Sequence, residues 1–152
     1  MPPKIINGGF ETGTFDGWGT GALPGLDVPA IDSKAHSGSF SAMLRPGGFV
    51  WQRFKPPVVS GGGLILQYWL TSVGSDAHSV TVLLRPGPWN GPRLGVMRGP
   101  GIVREQGRRW RRYVFPIPRS QSVWAIRFDC GGSGSWEVWL DDVTFRPLTS
   151  AW

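Results

Sequence analysis

The sequence predicts an all-β chain, folded as a single two-sheet antiparallel β-sandwich (jelly roll) over residues 1–152. Three observations carry that prediction. The chain holds 23 glycines and 14 prolines in 152 residues, about double their usual combined share of roughly 12 %. These residues are spread so evenly that the longest stretches free of both, 119–130 and 135–146, are 12 residues long. A mean helix takes about 11–12 residues, so a helical bundle is excluded and a βαβ crossover has almost no room. Hydrophobic residues make up 40 % of the chain and nine residues are Trp, which excludes a disordered Gly/Pro linker. A chain of this length buries about 68–70 % of its unfolded surface. Finally, short apolar or alternating segments recur between Pro-Gly, Gly-Gly and Gly-Pro pairs, the pattern of a sandwich or jelly roll.

Taken in order, residues 4–6 form a first short strand, closed by Asn7-Gly8-Gly9, whose residues tolerate positive φ. Phe10 and Trp18 are expected to plug one end of the sandwich. Residues 15–29 read as a long Gly- and Asp-rich connection, with strands at 28–32 and, after the tight Ser37-Gly38 turn, at 39–44. The next strand is 49–54. Residues 64–71 alternate most clearly: Leu64, Leu66, Tyr68 and Leu70 share the core face, Gln67, Trp69 and Thr71 the other. Strands at 79–85, 109–115, 122–129 and 136–145 follow. In the strand 122–129, Trp124, Ile126 and Phe128 are expected inside, opposite Val123, Ala125, Arg127 and Asp129. Residues 86–107 read as one irregular loop, longer than the about 12–15 residues a compact domain usually allows and so a place for function. No internal repeat or second-domain boundary is present.

The net charge is +6, and 13 of the 16 cations are Arg. Such a chain attracts anionic glycans, nucleic acid or acidic partners, and Arg favours planar, bidentate contacts. Cys130 is the single cysteine, which excludes an intrachain disulfide and a multi-thiolate metal site; a buried thiol is its expected role. Met1 to Gly9 lacks the apolar run of a secretory signal, and no segment approaches the about 20 apolar residues of a membrane span.

Three motifs stand in order: Ile6-Asn7-Gly8-Gly9-Phe10-Glu11-Thr12-Gly13 with Phe15-Asp16-Gly17-Trp18; Ala35-His36-Ser37-Gly38-Ser39-Phe40-Ser41 with Val50-Trp51-Gln52-Arg53-Phe54; and Val138-Trp139-Leu140-Asp141-Asp142-Val143-Thr144-Phe145. Over residues 4–146 their order and spacing resemble the jelly-roll carbohydrate-binding modules of families four, nine and twenty-two, and the wider galactose-binding-like sandwiches. The resemblance implies a structural calcium tying the first strand region to the last. Carried over by motif, Glu11 and Asp142 supply carboxylates, Gly9 a carbonyl, and Ser33 and His36 further ligands, an oxygen-rich set of the kind calcium takes. Ser33 stands where relatives often carry an acid, with Asp32 beside it. The residues alone allow another reading, in which Glu11 and Asp142 cap backbone donors or pair with cations, without metal. Asp141-Asp142 inside an apolar strand is the oddest local feature, because a buried carboxylate needs a partner or a cation.

Sugar-binding modules stack pyranose rings on Trp or Tyr and orient them with polar groups. Candidates on the non-core face are Trp51, Arg53, Gln67, Trp69, Arg85, Arg112, Arg127, Glu137 and Trp139, with Trp89 at a loop tip; most Trp residues also suit core or subunit contacts. The run Arg108-Arg109-Trp110-Arg111-Arg112 mixes cations with an aromatic, as nucleic-acid binders do. At a strand start, however, such residues flank a sheet edge, and an acidic protein or anionic glycan is the better match. His36 reads as a turn residue and His78 lies in a polar loop. No nucleophile elbow, zincin helix or phosphate loop is present, and no enzymatic activity is expected. Two functions remain. The first is a structural or attachment module that decorates or builds a larger assembly, a virion capsid or cell-surface layer, with subunit partners and as a homo-oligomer. The second is a dedicated glycan-binding module. Both place the chain on a virion or outside the cell.

Overall fold

The computed structural model describes residues 5–73, 80–85, 97–107, 109–131 and 136–148, the Met97 side chain excepted. The described residues form eleven strands and no helix: β1 (Gly19–Ala22), β2 (Ala30–Asp32), β3 (Ser41–Leu44), β4 (Gly48–Val59), β5 (Leu64–Val73), β6 (Val80–Arg85), β7 (Met97–Gly99), β8 (Ile102–Gln106), β9 (Arg111–Ile117), β10 (Ser122–Cys130) and β11 (Glu137–Pro147). They pair antiparallel in two sheets, a five-stranded one in the order β1-β4-β10-β6-β7 and a six-stranded one in the order β2-β3-β11-β5-β9-β8. This is the expected jelly-roll sandwich.

Its core follows the alternation. Leu64, Leu66, Tyr68 and Leu70 point inward from β5, against Val50 and Phe54 of β4, Val82 and Leu84 of β6 and Ile126 and Phe128 of β10. Phe10 and Trp18 close one end, with ring centroids 5.3 Å apart and Trp18 6.3 Å from Phe128. Cys130 is buried in the same core, and burial above all, then the charge of Asp129, pushes its thiol up to about 12.

Several expected elements are corrected. No strand forms at 5–6, and Lys4 lies outside the described residues. The Gln52 side chain takes the place of a partner strand there: it accepts from the Ile6 N–H and donates to the Ile6 carbonyl, both at 2.9 Å. The stretch 15–29 is not strandless, because β1 pairs with β4 through it. The stretch 86–107 is not wholly irregular either. Residues 86–96 lie outside the described residues, but β7 joins the five-stranded sheet and β8 the six-stranded one, so the chain changes sheets at Pro100-Gly101. Gly101 is required at that corner, since a Cβ there would overlap the Tyr68 hydroxyl.

Trp124 is half-buried and outside the core cluster, whereas Val123 is in it. The cause is a register shift between Val123 and Ala125, opposite the Lys55-Pro56-Pro57 stretch of β4. A bulge moves the alternation by one residue, so the inward set is Val123, Ile126 and Phe128.

Candidate functional site

The first motif folds as a chain of turns that the third motif locks in place. Asn7 and Phe10 take the positive φ values, 52° and 57°, while Gly8 serves a different need, space. A Cβ on Gly8 would overlap the Val143 carbonyl, and one on Gly9 would stand 3.4 Å from Asp142 Oδ1 and 3.6 Å from Glu11 Cγ. The Val143 N–H donates to the Gly8 carbonyl at 2.9 Å. A bulge between Asp141 and Thr144, with Asp142 at φ 50°, brings both adjacent carboxylates to this junction.

The second motif supplies their donors. Glu11 accepts from the N–H groups of Ser39 at 2.8 Å and Phe40 at 3.0 Å, and Gly38, at φ 67°, has no room for a Cβ against that carboxylate. Asp142 Oδ2 lies 2.7 Å from His36 Nδ1, and the Ser37 hydroxyl donates to Oδ1 at 2.9 Å and Oδ2 at 2.7 Å. Asp141 is fully buried and accepts from the N–H groups of His36 at 2.9 Å and of Asp142 at 2.8 Å. Burial, then the Asp142 charge, push its carboxyl up to about 6 against these hydrogen bonds.

Of the expected calcium ligands, Gly9, Glu11, His36 and Asp142 therefore share this junction. Ser33 does not join them by any described contact; its N–H turns onto Asp32 at 2.7 Å. The donor chemistry, carboxylates beside backbone carbonyls, suits calcium. Each carboxylate is engaged by protein donors, and among the described residues no three His, Cys, Asp or Glu side chains are grouped as metal ligands.

The expected aromatic and cationic face divides between the two sheets. Trp51, Arg53, Arg85 and Arg127 belong to the five-stranded sheet; Gln67, Trp69, Arg112 and Trp139 belong to the six-stranded one. On the six-stranded sheet the outward positions are largely covered. His36 stacks on Trp69 at 3.8 Å and 16°, with Trp110 edge-on to His36 at 5.6 Å. Trp139 is buried rather than offered to a ligand: its indole N–H donates to Asp32 at 2.6 Å, and the Lys34 ammonium sits 4.1 Å from its ring centroid. Gln67 Oε1 accepts from Arg146 at 2.5 Å and Arg112 at 3.4 Å, Arg112 also donates to Glu105 at 3.1 Å, and Glu137 accepts from Arg45 at 3.0 Å. Trp89, His78 and Arg108 lie outside the described residues.

Among the described residues, the outward face of the five-stranded sheet carries the exposed Arg53 and Arg98, and its composition follows from register. Residues directly opposite in antiparallel strands point the same way, so one row runs Gly19, Trp51, Arg127, Leu83, Arg98. A second runs Gly21, Phe49, Asp129, Thr81, and a third Arg53, Ala125, Arg85. Residues between them, Val50, Ile126, Phe128, Val82 and Leu84, are core. The rings of Trp51 and Phe49 lie across β1, where a Cβ on Gly19 would overlap the Trp51 ring and one on Gly21 would come within 2.6 Å of Phe49. The Arg127 guanidinium sits 3.8 Å from the Phe49 centroid and donates to Asp129 at 2.6 Å. Phe49, Arg98 and the two glycines were not among the expected site residues. The alternation Phe49-Val50-Trp51-Gln52-Arg53 contains the signal for Phe49, while Arg98 and the glycines need the pairing of β7 and β1.

No protein-family model and no curated protein matches the sequence. Solved structures do match in fold. The CBM22-1 xylan-binding domain of Paenibacillus barcinonensis Xyn10C has TM-score 0.61 at 18 % identity, covering 99 % of this chain and 97 % of that one. TmCBM61, solved with β-1,4-galactotriose, has TM-score 0.56 at 14 % identity, covering 95 % and 99 %. The enzymatically active domain of bacteriophage CBA120 tailspike protein 4 has TM-score 0.65 at 14 % identity, covering 93 % of this chain, which spans only 21 % of that one. Strand order, two-sheet packing and these likenesses lead to one conclusion: the chain has the jelly-roll sandwich fold of carbohydrate-binding modules.

Proposed function

We propose that this chain is a non-catalytic glycan-binding module, and that the outward face of its five-stranded sheet is the binding surface. The observation that supports this reading is the Trp51 ring, half-buried and laid flat over Gly19, with Phe49 and Arg127 beside it. A flat, immobilised ring offers a sugar an apolar platform, and the neighbouring guanidinium groups supply orienting donors. The neighbours in fold include several carbohydrate-binding modules, which favours this reading over the assembly subunit that the sequence suggested first. Such a module works outside the cell or at a surface. A calcium ion held by Gly9, Glu11 and Asp142 is proposed as its structural support; when bound, it would neutralise the carboxylates that join the first and third motifs.

Affinity electrophoresis against a polysaccharide panel tests the surface. Trp51→Ala is expected to weaken binding roughly thirtyfold, the loss of one stacking anchor worth about 2 kcal/mol. Trp69→Ala is expected to stay within about twofold, because His36 already covers that ring. Loss with Trp69→Ala and retention with Trp51→Ala would move the site to the other sheet.

A further inference from the structure

The outward face of the five-stranded sheet carries more positive charge than a neutral sugar needs. Among the described residues, Arg53, Arg85, Arg98 and Arg127 project from it and Asp129 is the single carboxylate, paired with Arg127. On the six-stranded sheet the outward Arg112 is paired with Glu105, and Arg112 and Arg146 both donate to Gln67. Protection of sheet edges, the usual reason for strand cations, explains Arg98 on edge strand β7 but not the others. Arg53, Arg85 and Arg127 stand on β4, β6 and β10, all interior strands. Mid-sheet cations around an aromatic platform point to a ligand that brings negative charge.

We infer that this face selects an acidic polysaccharide, one whose pyranose rings carry carboxylates. The inference rests on the glycan-binding reading above and adds the ligand's charge to it. Arg53 and Arg85 face each other across Ala125, two inter-strand spacings or about 9–10 Å between backbones. Ala125, the small residue between them, is itself buried. Trp51 lies two residues along β4 from Arg53 and Leu83 two residues along β6 from Arg85, so the apolar platform borders the cationic pair on one side. A sugar stacked on Trp51 brings its neighbour's carboxylate to that pair. Guanidinium groups take carboxylates in a planar, two-bonded fork, which a hydroxyl does not match. Arg53 and Arg85 make contacts within the protein as well; the charge they bring to the face does not depend on their being unengaged.

The test titrates the protein with polygalacturonate, with the same polymer fully methyl-esterified, with neutral xylan and with dextran sulfate. The expected result is binding to polygalacturonate at least about tenfold tighter than to its ester, the worth of one or two charge-assisted hydrogen bonds. In Arg53→Gln/Arg85→Gln that preference should vanish, the affinity for polygalacturonate falling to that for the ester, and melting temperature serves as the check that the variant is folded. Trp51→Ala should weaken binding to both polymers. Equal affinity for acid and ester overturns the inference and leaves the glycan-binding reading standing, whereas binding to none of the polymers overturns both. Dextran sulfate binding as tightly as polygalacturonate, and unaffected by Trp51→Ala, would reduce the face to a bare polyanion attractor and also overturn it.

Discussion

Glu11 shows how much one side chain organises. Its carboxylate accepts two consecutive backbone N–H groups, from Ser39 and Phe40, across 28 residues of sequence, and so fixes the turn that leads into β3. Removing it hands both donors to water at an exposed turn. Glu11→Ala is expected to lower stability by about 0.5–1.5 kcal/mol, the net worth of hydrogen bonds at an exposed site, read as a fall in the denaturation midpoint at constant m-value. An unchanged midpoint would mean that water replaces the carboxylate at no cost. The sequence marked Glu11 as a residue of consequence but left two roles open. The backbone caps are now visible, and they come from the Ser37-Gly38 turn that the sequence also marked. His36 was legible as a turn residue and, through the resemblance, as a calcium ligand. Its stacking on Trp69 joins residues 33 positions apart and has no local signature.

At the scale of elements, β1 is the plainest case of a strand the sequence hid. Gly-Thr-Gly-Ala has little β-propensity and no apolar face, and the segment becomes a strand because β4 offers it a pairing edge. Its glycines serve the rings of the next strand. Gly19→Ala is therefore expected to lift the Trp51 ring and weaken glycan binding by about tenfold, with a stability loss of no more than about 1 kcal/mol at a half-buried edge position. Calorimetry on the variant checks both numbers; full affinity would separate Trp51 from the site. The β10 bulge teaches the converse. Alternation alone placed Trp124 inside, yet the register shift opposite Lys55-Pro56-Pro57 reversed the phase at that end of the strand while leaving Ile126 and Phe128 as expected. Periodicity reads a strand correctly up to the point where an extra residue is inserted.

At the scale of the molecule, the carboxylate junction ties the first turns to the last strand through Gly8, Glu11, Asp141 and Asp142. Calcium at this junction would bind the folded chain and not the unfolded one, and so raise stability by mass action. The expected outcome is a melting temperature several degrees higher in millimolar calcium than after exhaustive chelation, absent in Asp142→Asn. The same midpoint under both conditions would show that the hydrogen bonds suffice. The sequence by itself determined the fold class, most of the core and the motifs that meet at the junction. Glycine and proline spacing excludes helices, and period-two alternation selects the buried face of each strand locally. Only the tertiary structure decided which candidates share a surface. Trp51 and Trp69 are equally plausible along the chain, but strand order sends them to opposite sheets, where Gly19 underlies one ring and His36 covers the other. Alternation says that a side chain points away from the core; it carries no information about which sheet bears it or what lies across it, because those depend on pairings between residues far apart in sequence.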